Sequence, residues 1–436
     1  MTTTLLGRMA CTARRRTLAA GAALALAGSL ALAGCSATGT TATATQTTAS
    51  ASSTSAAAIT TASTGSADAI TTSQTITGTA AASDAFLATL TDEQREQVLH
   101  AYDDETKTTS WSNFPVTFVE RAGLNLADLT EEQQAAAMAV LEALLSEEGY
   151  ATVTGIMGGD QYLADYSSSS EESLGQYYIA FFGDPSDTSA WEVQFGGHHL
   201  GLNATLDGSA DAITFAPTHL GTQPAVYTGA DGEEVQPLAG IYEAAFAFYD
   251  SLAEEQLAAL YQGERVSAMV CAPGSTCDYP TGTGLSGADL TDEQQQLLLD
   301  VIAGWVGLAD AETTADALTE IGATLDETYV AWSGATTYDM TQGEGIYFQI
   351  SGPDVYIEFA AQQGSADADV DGVTTSGWGH VHTMYRDPEG DYASSAVQQE
   401  ATGDPGAGGP RAGGGPGAGG GPAGGGQPPS GAPASS

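Results

Sequence analysis

The sequence predicts an α+β fold: a largely antiparallel sheet with capped helices packed against it, in one domain with room for two lobes. Three observations lead there. Four helix-start signals punctuate the chain, strand-like segments come in hairpin-like groups, and no regular strand-helix alternation of the kind that builds a parallel sheet is present.

The helix starts share a phrase: "LTDEQREQVL" at 90, "LTEEQQAAAMAVLEALL" at 129, "LAEEQLAALY" at 252 and "LTDEQQQLLLDVI" at 290. In three of them Thr91, Thr130 or Thr291 stands three residues before a Gln, the spacing of a capping box, in which hydroxyl and amide satisfy each other's orphan backbone donors. The acidic pair between them suits the positive end of the helix dipole. Their unequal spacing argues against a solenoid, and they read as helix starts, not a functional repeat. Strands are expected at 176–183, as one longer strand at 190–206, as two alternating strands around Gly352-Pro353 within 345–361, and at 377–387.

The termini predict an exported protein. Arg14-Arg15-Arg16, an Ala/Leu run and Leu32-Ala33-Gly34-Cys35 have the layout of an export signal, too short and small-residue-rich for a good membrane span. Leu-Ala-Gly-Cys resembles the lipobox of bacterial lipoproteins, which makes Cys35 the expected lipid anchor to the cell membrane; an ordinary secretory signal is the alternative. The arginines followed by Thr17-Leu18 also resemble a twin-arginine signal. The expected organisation is a signal peptide at 1–34, a disordered Thr/Ser/Ala tether at 35–82, a folded domain at 83–397 and a disordered Gly/Pro/Ala tail at 398–436.

Charge narrows the partners. The formal net charge is −45, every acidic residue follows Cys35, and Lys107 is the only lysine. Such a chain lacks the clustered cations that displace counterions from phosphate backbones, so nucleic acid is excluded as an expected partner. Cys271 and Cys277, flanking a Pro-Gly-Ser turn in an exported chain, predict a local disulfide, with a thiolate metal pair as the alternative.

The stretches "WSNFP" (111–115), "ERAGL" (120–124), "GDPS" (183–186), "WEVQFGGHHLGLN" (191–203), "GTQP" (221–224), "ISGPDVYIEF" (350–359) and "HVHTMYRDPEGDY" (380–392) resemble, in this order, a bacterial family, the domain of unknown function 3500. The resemblance implies an exported or anchored protein and carries no established reaction. The chain departs from the family pattern at Tyr347-Phe348-Gln349, where an arginine often follows two aromatics, so an anion-binding arginine is not carried over.

Histidines are the remaining signal. Of six, His198, His199, His219, His380 and His382 fall in or near strands, and His100 stands apart on the first of the four phrase helices. Alternation places His380, His382, Met384 and Arg386 on one strand face. Apolar positions change parity around Gly196-Gly197, which predicts a bulge, with His198 packed inward and His199 free to meet His380 and His382. Neutral imidazoles with an open position suit zinc, for hydrolysis, or copper, for redox chemistry. The candidate metal ligands are thus His199, His380 and His382, supported by His198, with Glu120 as ligand or base. Arg386 is either a clamp for an anionic substrate group or half of a structural ion pair. A metal-dependent extracytoplasmic enzyme and a non-catalytic surface protein binding a metal or small ligand both remain open. The tryptophans at 111, 191, 332 and 378 are expected in the core.

Overall fold

The computed structural model describes residues 70–401, apart from 172, 173, 264, 265, 267, 268 and 365. The expected signal peptide, Cys35, most of the tether and the Gly/Pro-rich tail beyond 401 lie outside the described residues. The architecture is α+β. One sheet runs, in spatial order, through Leu99–His100, Tyr178–Phe182, Ala190–Gly196, Leu200–Asp207, Thr218–Thr222, Gly377–Arg386, Tyr356–Gln362, Ile346–Ser351, Tyr329–Gly334 and Leu285–Ser286. Its pairings are antiparallel except Leu99–His100 against Phe181–Phe182. No helix among the described residues is long and apolar enough to cross a membrane.

The order reveals two matching halves meeting at the Thr218–Thr222/Gly377–Arg386 pair. In the first, the Thr72–Thr89 helix packs on Glu131–Leu144; in the second, Ala239–Asp250 packs on Asp292–Val306. The match extends to single hydrogen bonds. Gln133 Nε2 donates to Thr89 O and Gln94 Oε1, both at 3.0 Å, while Gln294 Nε2 donates to Ser251 O at 2.9 Å and Gln256 Oε1 at 3.0 Å. Gly123 and Gly284 both have positive φ, and a Cβ on either would lie 1.9 Å from a carbonyl of the facing strand, Ile179 O or Val330 O. Only glycine fits such an approach. The recurring phrases are helix starts, as expected, and they form two equivalent pairs in the matching halves.

The predicted capping boxes at Thr91, Thr130 and Thr291 are formed. At the fourth start Ala253 has no hydroxyl, and only the Gln256 arm exists, accepting from Ala253 N at 2.8 Å. A further box, Thr71 with Gln74, opens the Thr72–Thr89 helix inside the segment expected to be tether. The folded boundary moves from 83 to about 72 for a physical reason. Thr72, Thr75, Ile76, Thr79, Ala80, Ser83 and Phe86 form a buried helical stripe, but most are small or hydroxylated, so the stripe is hidden in tether-like composition. Their hydroxyls are satisfied internally: Thr79 Oγ1 donates to Thr75 O at 2.7 Å, Ser83 Oγ to Thr79 O at 2.8 Å, and Thr75 Oγ1 to Asp310 Oδ2 at 2.8 Å. At the other end Gln398 and Ala401 are buried, so the fold also runs slightly past 397.

The sheet has two different faces. One packs on the helices: Trp305 of the Asp292–Val306 helix meets Phe348, which stacks between Trp332 and Phe359. Side chains of this size each contribute about 1.5–3 kcal/mol on full burial. The four tryptophans expected in the core are all buried. The opposite face is buried yet polar, carrying Glu192, Gln194, Asn203, His219, His382, Gln349 and Glu358. Irregular segments around 101–123 and 269–284 cover it and satisfy much of it. Gln194 Nε2 donates to Lys107 O at 2.9 Å, and Glu358 accepts from Val270 N at 2.8 Å and Cys271 N at 2.7 Å. Cys271 and Cys277 form the predicted disulfide, closing part of this cover.

The 190–206 segment is not one strand with a bulge. It is a hairpin, Ala190–Gly196 and Leu200–Asp207, with Phe195 facing Leu202 and Val193 facing Ala204. Reversal pairs residues of opposite parity, which accounts for the parity change read as a bulge. His100 likewise lies in a short strand just past the Asp92–Val98 helix.

Candidate metal centre

His198 and His199 are the two tip residues of that hairpin, between Gly197 and Leu200, whose backbone groups bond at 2.9 Å (Gly197 N to Leu200 O). Glycine is required at 197, since a Cβ there would stand 2.6 Å from Gln176 O. Arg121, in a buried nest of carbonyls, holds the turn: Nε and Nη2 donate to Gly197 O at 3.2 and 2.7 Å, and Nη2 also to Ser112 O and Phe114 O at 2.8 and 2.7 Å. One guanidinium thus joins the hairpin tip to the covering loop that carries Asn113.

Because the tip is a turn, both imidazoles point the same way. They stack with centroids 4.2 Å apart and an interplanar angle of 17°. His198 lies 6.1 Å from His382, and His199 lies 5.3 Å from His382 and 5.5 Å from His380. The expectation that only one of the pair would meet the H-x-H strand is corrected accordingly. His219, on the neighbouring strand, joins at 5.3 Å from His382. Five of the six histidines form one cluster, with one nitrogen each of His198, His199 and His382 mutually within 4.8 Å. This group could hold a metal ion. Three nitrogens on one tetrahedral ion with bonds of about 2 Å stand about 3.3 Å apart, a spacing inside the 4.8 Å that bounds this group.

The outer contacts of these rings have the character of a metal site's supporting shell, in which one ring nitrogen is held so that the other faces the ion. His199 Nδ1 bonds the Asp160 carboxylate, whose other oxygen accepts from Tyr177 OH at 2.7 Å. Nδ1 of His219 bonds Thr383 O at 2.8 Å, and Nδ1 of His380 bonds Gln363 O at 3.0 Å. His198 Nδ1, His199 Nε2 and His219 Nε2 are buried with no hydrogen-bond partner among the described residues. Orphaned buried nitrogens are costly unless something occupies the space they face.

Burial sets the charge. It depresses His199, His219 and His380 to about 3 and His198 and His382 well below the usual histidine range, so the five rings are neutral lone-pair donors at neutral pH. Burial also raises Asp160 to about 6, opposed by His198 and the Tyr177 hydrogen bond. His198 and His380 are only partly buried and mark the side from which the cluster meets solvent.

The carboxylate expected beside the histidines is a different one. Glu120 is exposed, with no bond to the cluster among the described residues, because its neighbour Arg121 turns inward instead. Asp160 takes that place. It occupies an apolar-stripe position of the Glu147–Tyr166 helix, in the buried series Gly149, Val153, Ile156, Asp160, Leu163, and an acid in that series was a legible signal. Arg386, four residues along the strand from His382, forms an ion pair with Asp391 at 2.5 Å, donates to Ser275 O at 3.2 Å and lies over the Tyr279 ring. It is a structural ion pair in the covered face, remote from the cluster by about 13 Å of strand.

The second half holds the twin of this site without histidines. Its hairpin tip is Pro353-Asp354, closed by Gly352 N to Val355 O at 2.8 Å. Asp354 stands where His199 does and accepts from Thr324 Oγ1 at 2.7 Å, as His199 meets Asp160. A cavity of about 390 Å³ lies there, lined in part by Asp316, Glu320, Asp354 and Asp387.

Fold and site together define a duplicated α+β protein with a histidine cluster at the seam between its halves. The family model described as protein of unknown function (DUF3500) matches residues 72–394, and the chain belongs to that family. Comparison with curated proteins and with solved structures found no match.

Proposed function

We propose that the chain is an exported lipoprotein, anchored through Cys35, whose histidine cluster is a zinc or copper centre built from His198, His199, His380 and His382. The single observation that carries this reading is the His198, His199 and His382 group, one ring nitrogen of each within 4.8 Å of the others, in which His198 Nδ1 and His199 Nε2 are buried without a hydrogen-bond partner among the described residues while Asp160 holds the opposite nitrogen of His199. All-imidazole ligation suits zinc, which would activate water for hydrolysis, or copper, which would support redox chemistry. The partly exposed His198 and His380 favour an open coordination position, hence a metal-dependent extracytoplasmic enzyme.

A second reading, a non-catalytic surface protein holding a metal or small ligand, has one observation in its favour. Both Asp160 oxygens are engaged, by His199 and Tyr177, so that carboxylate is not free to act as a base.

Elemental analysis of the purified chain and of the His380→Ala/His382→Ala double variant tests the centre. Stoichiometric zinc or copper in the wild type, lost in the double variant, is the expected result. A wild type that neither retains nor binds either ion, with a variant that only loses stability, rejects it. An exchangeable metal-bound water favours the enzyme, and a closed coordination shell favours the binding protein. For the anchor, Cys35→Ala should release the chain from the membrane fraction; retention there refutes lipidation at this residue.

A further inference from the structure

We propose, resting on the metal reading above, that Asn113 is a tautomer switch for His382, its side-chain amide turning over when an ion loads. The proton inventory of the cluster leads there. His380 Nδ1 donates to Gln363 O at 3.0 Å, so in the neutral ring Nε2 carries the lone pair. That nitrogen lies 3.2 Å from His382 Nε2, which must therefore bear the proton and donate it. His382 Nδ1 is then bare and accepts from Asn113 Nδ2 at 2.9 Å. Every group in this chain of bonds is satisfied except one: Asn113 Oδ1 is buried and has no partner among the described residues.

His382 cannot ligate through Nε2 in this state, because that nitrogen has no free lone pair. Loading an ion moves the proton from Nε2 to Nδ1, with no net proton lost from the ring. The amide NH₂ would then face an N–H, donor against donor. A half-turn of the amide brings the orphaned Oδ1 to Nδ1–H and restores the bond. It also leaves the His380 and His382 Nε2 lone pairs facing one another at 3.2 Å, close to the roughly 3.3 Å edge of a tetrahedral zinc–imidazole site. Without a cation that arrangement is repulsive, and with one it is a pair of ligands. The ion therefore selects the turned amide, and the empty site selects the other.

The test uses the chelator-stripped full chain with zinc alone, comparing wild type, Asn113→Asp and Asn113→Leu, with ring nitrogens followed by ¹⁵N NMR. In the wild type the His382 proton should sit on Nε2 without zinc and on Nδ1 with it. Asn113→Asp, which can only accept, should place it on Nδ1 even without zinc. Asn113→Leu, which can do neither, should bind zinc roughly 10–100-fold more weakly, the usual cost of losing a supporting contact to a metal-ligating histidine. Circular dichroism confirms that each variant folds. A His382 proton on the same nitrogen in both wild-type states, or wild-type zinc affinity in Asn113→Leu, overturns the switch while leaving the metal centre standing. A wild type that binds no zinc overturns both.

Discussion

His219 offers a measurement of how deeply the cluster is buried. Burial lowers its pKa from 6.5 to about 3, so the folded chain keeps this ring neutral at a pH where the unfolded chain protonates it. At about pH 7.5 neither state binds the proton, and His219 leaves stability unaffected by small pH changes. At about pH 5 the unfolded ring is favoured by protonation roughly 30-fold and the folded ring hardly at all, a difference of about 2 kcal/mol. The sign follows: stability is present above 6.5 and is lost as pH falls from there toward 3. Other buried groups, among them Glu192 raised to about 7 and Asp391 raised to about 6, push the opposite way, so the total pH dependence does not isolate one ring. His219→Gln does, because the remaining groups are common to both proteins and glutamine can still donate toward Thr383 O. Urea unfolding of the metal-free wild type and variant should show the wild type losing about 2 kcal/mol relative to the variant between pH 7.5 and 5. A stability difference that stays flat with pH would refute the burial argument.

Asp160→Asn should weaken zinc binding roughly 10–100-fold by titration with the ion, through loss of the charge behind His199; unchanged affinity would make Asp160 merely structural. Gln133→Ala and Gln294→Ala should each cost about 1–2 kcal/mol in urea unfolding, and the double variant should cost their sum, since the equivalent bonds lie in separate halves. A large coupling between them would contradict independent halves. Cys277→Ser should lose about 2 kcal/mol, the loop-closure value for so short a ring, and a change near zero would mean that the covering loop is held by its other contacts, those to Glu358 and Arg386 among them.

The fold was legible where local chemistry decides it. Thr-x-x-Gln boxes located three helices, and alternation located the strands around Gly352-Pro353 and the H-x-H strand. It was illegible where tertiary context decides. The stripe from Thr72 to Phe86 is too hydroxylated to stand out from tether composition, and a parity change at Gly196-Gly197 fits a bulge and a hairpin equally until the partner strand is known. At the site, rarity and strand alternation pointed to the histidines, and the structure gathers five of them. Their supports were harder to see. Asp160 carried a signal, as an acid at an apolar helix position, whereas Asn113 comes from a covering loop whose local pattern says nothing of what it faces. Glu120 offers the right chemistry as a carboxylate but is exposed, and it is the neighbouring arginine that turns inward.

The duplication gives the cluster a mechanical meaning. His198, His199, His219, Asp160 and Asn113 come from the first half, and His380 and His382 come from the second, across the central strand pair. An ion bound there would act as a clasp, fastening chain positions nearly two hundred residues apart. The group of His198, His199 and His382 draws on both halves, so an ion held by all three would report that both are folded and docked. The same clasp would resist shear between them.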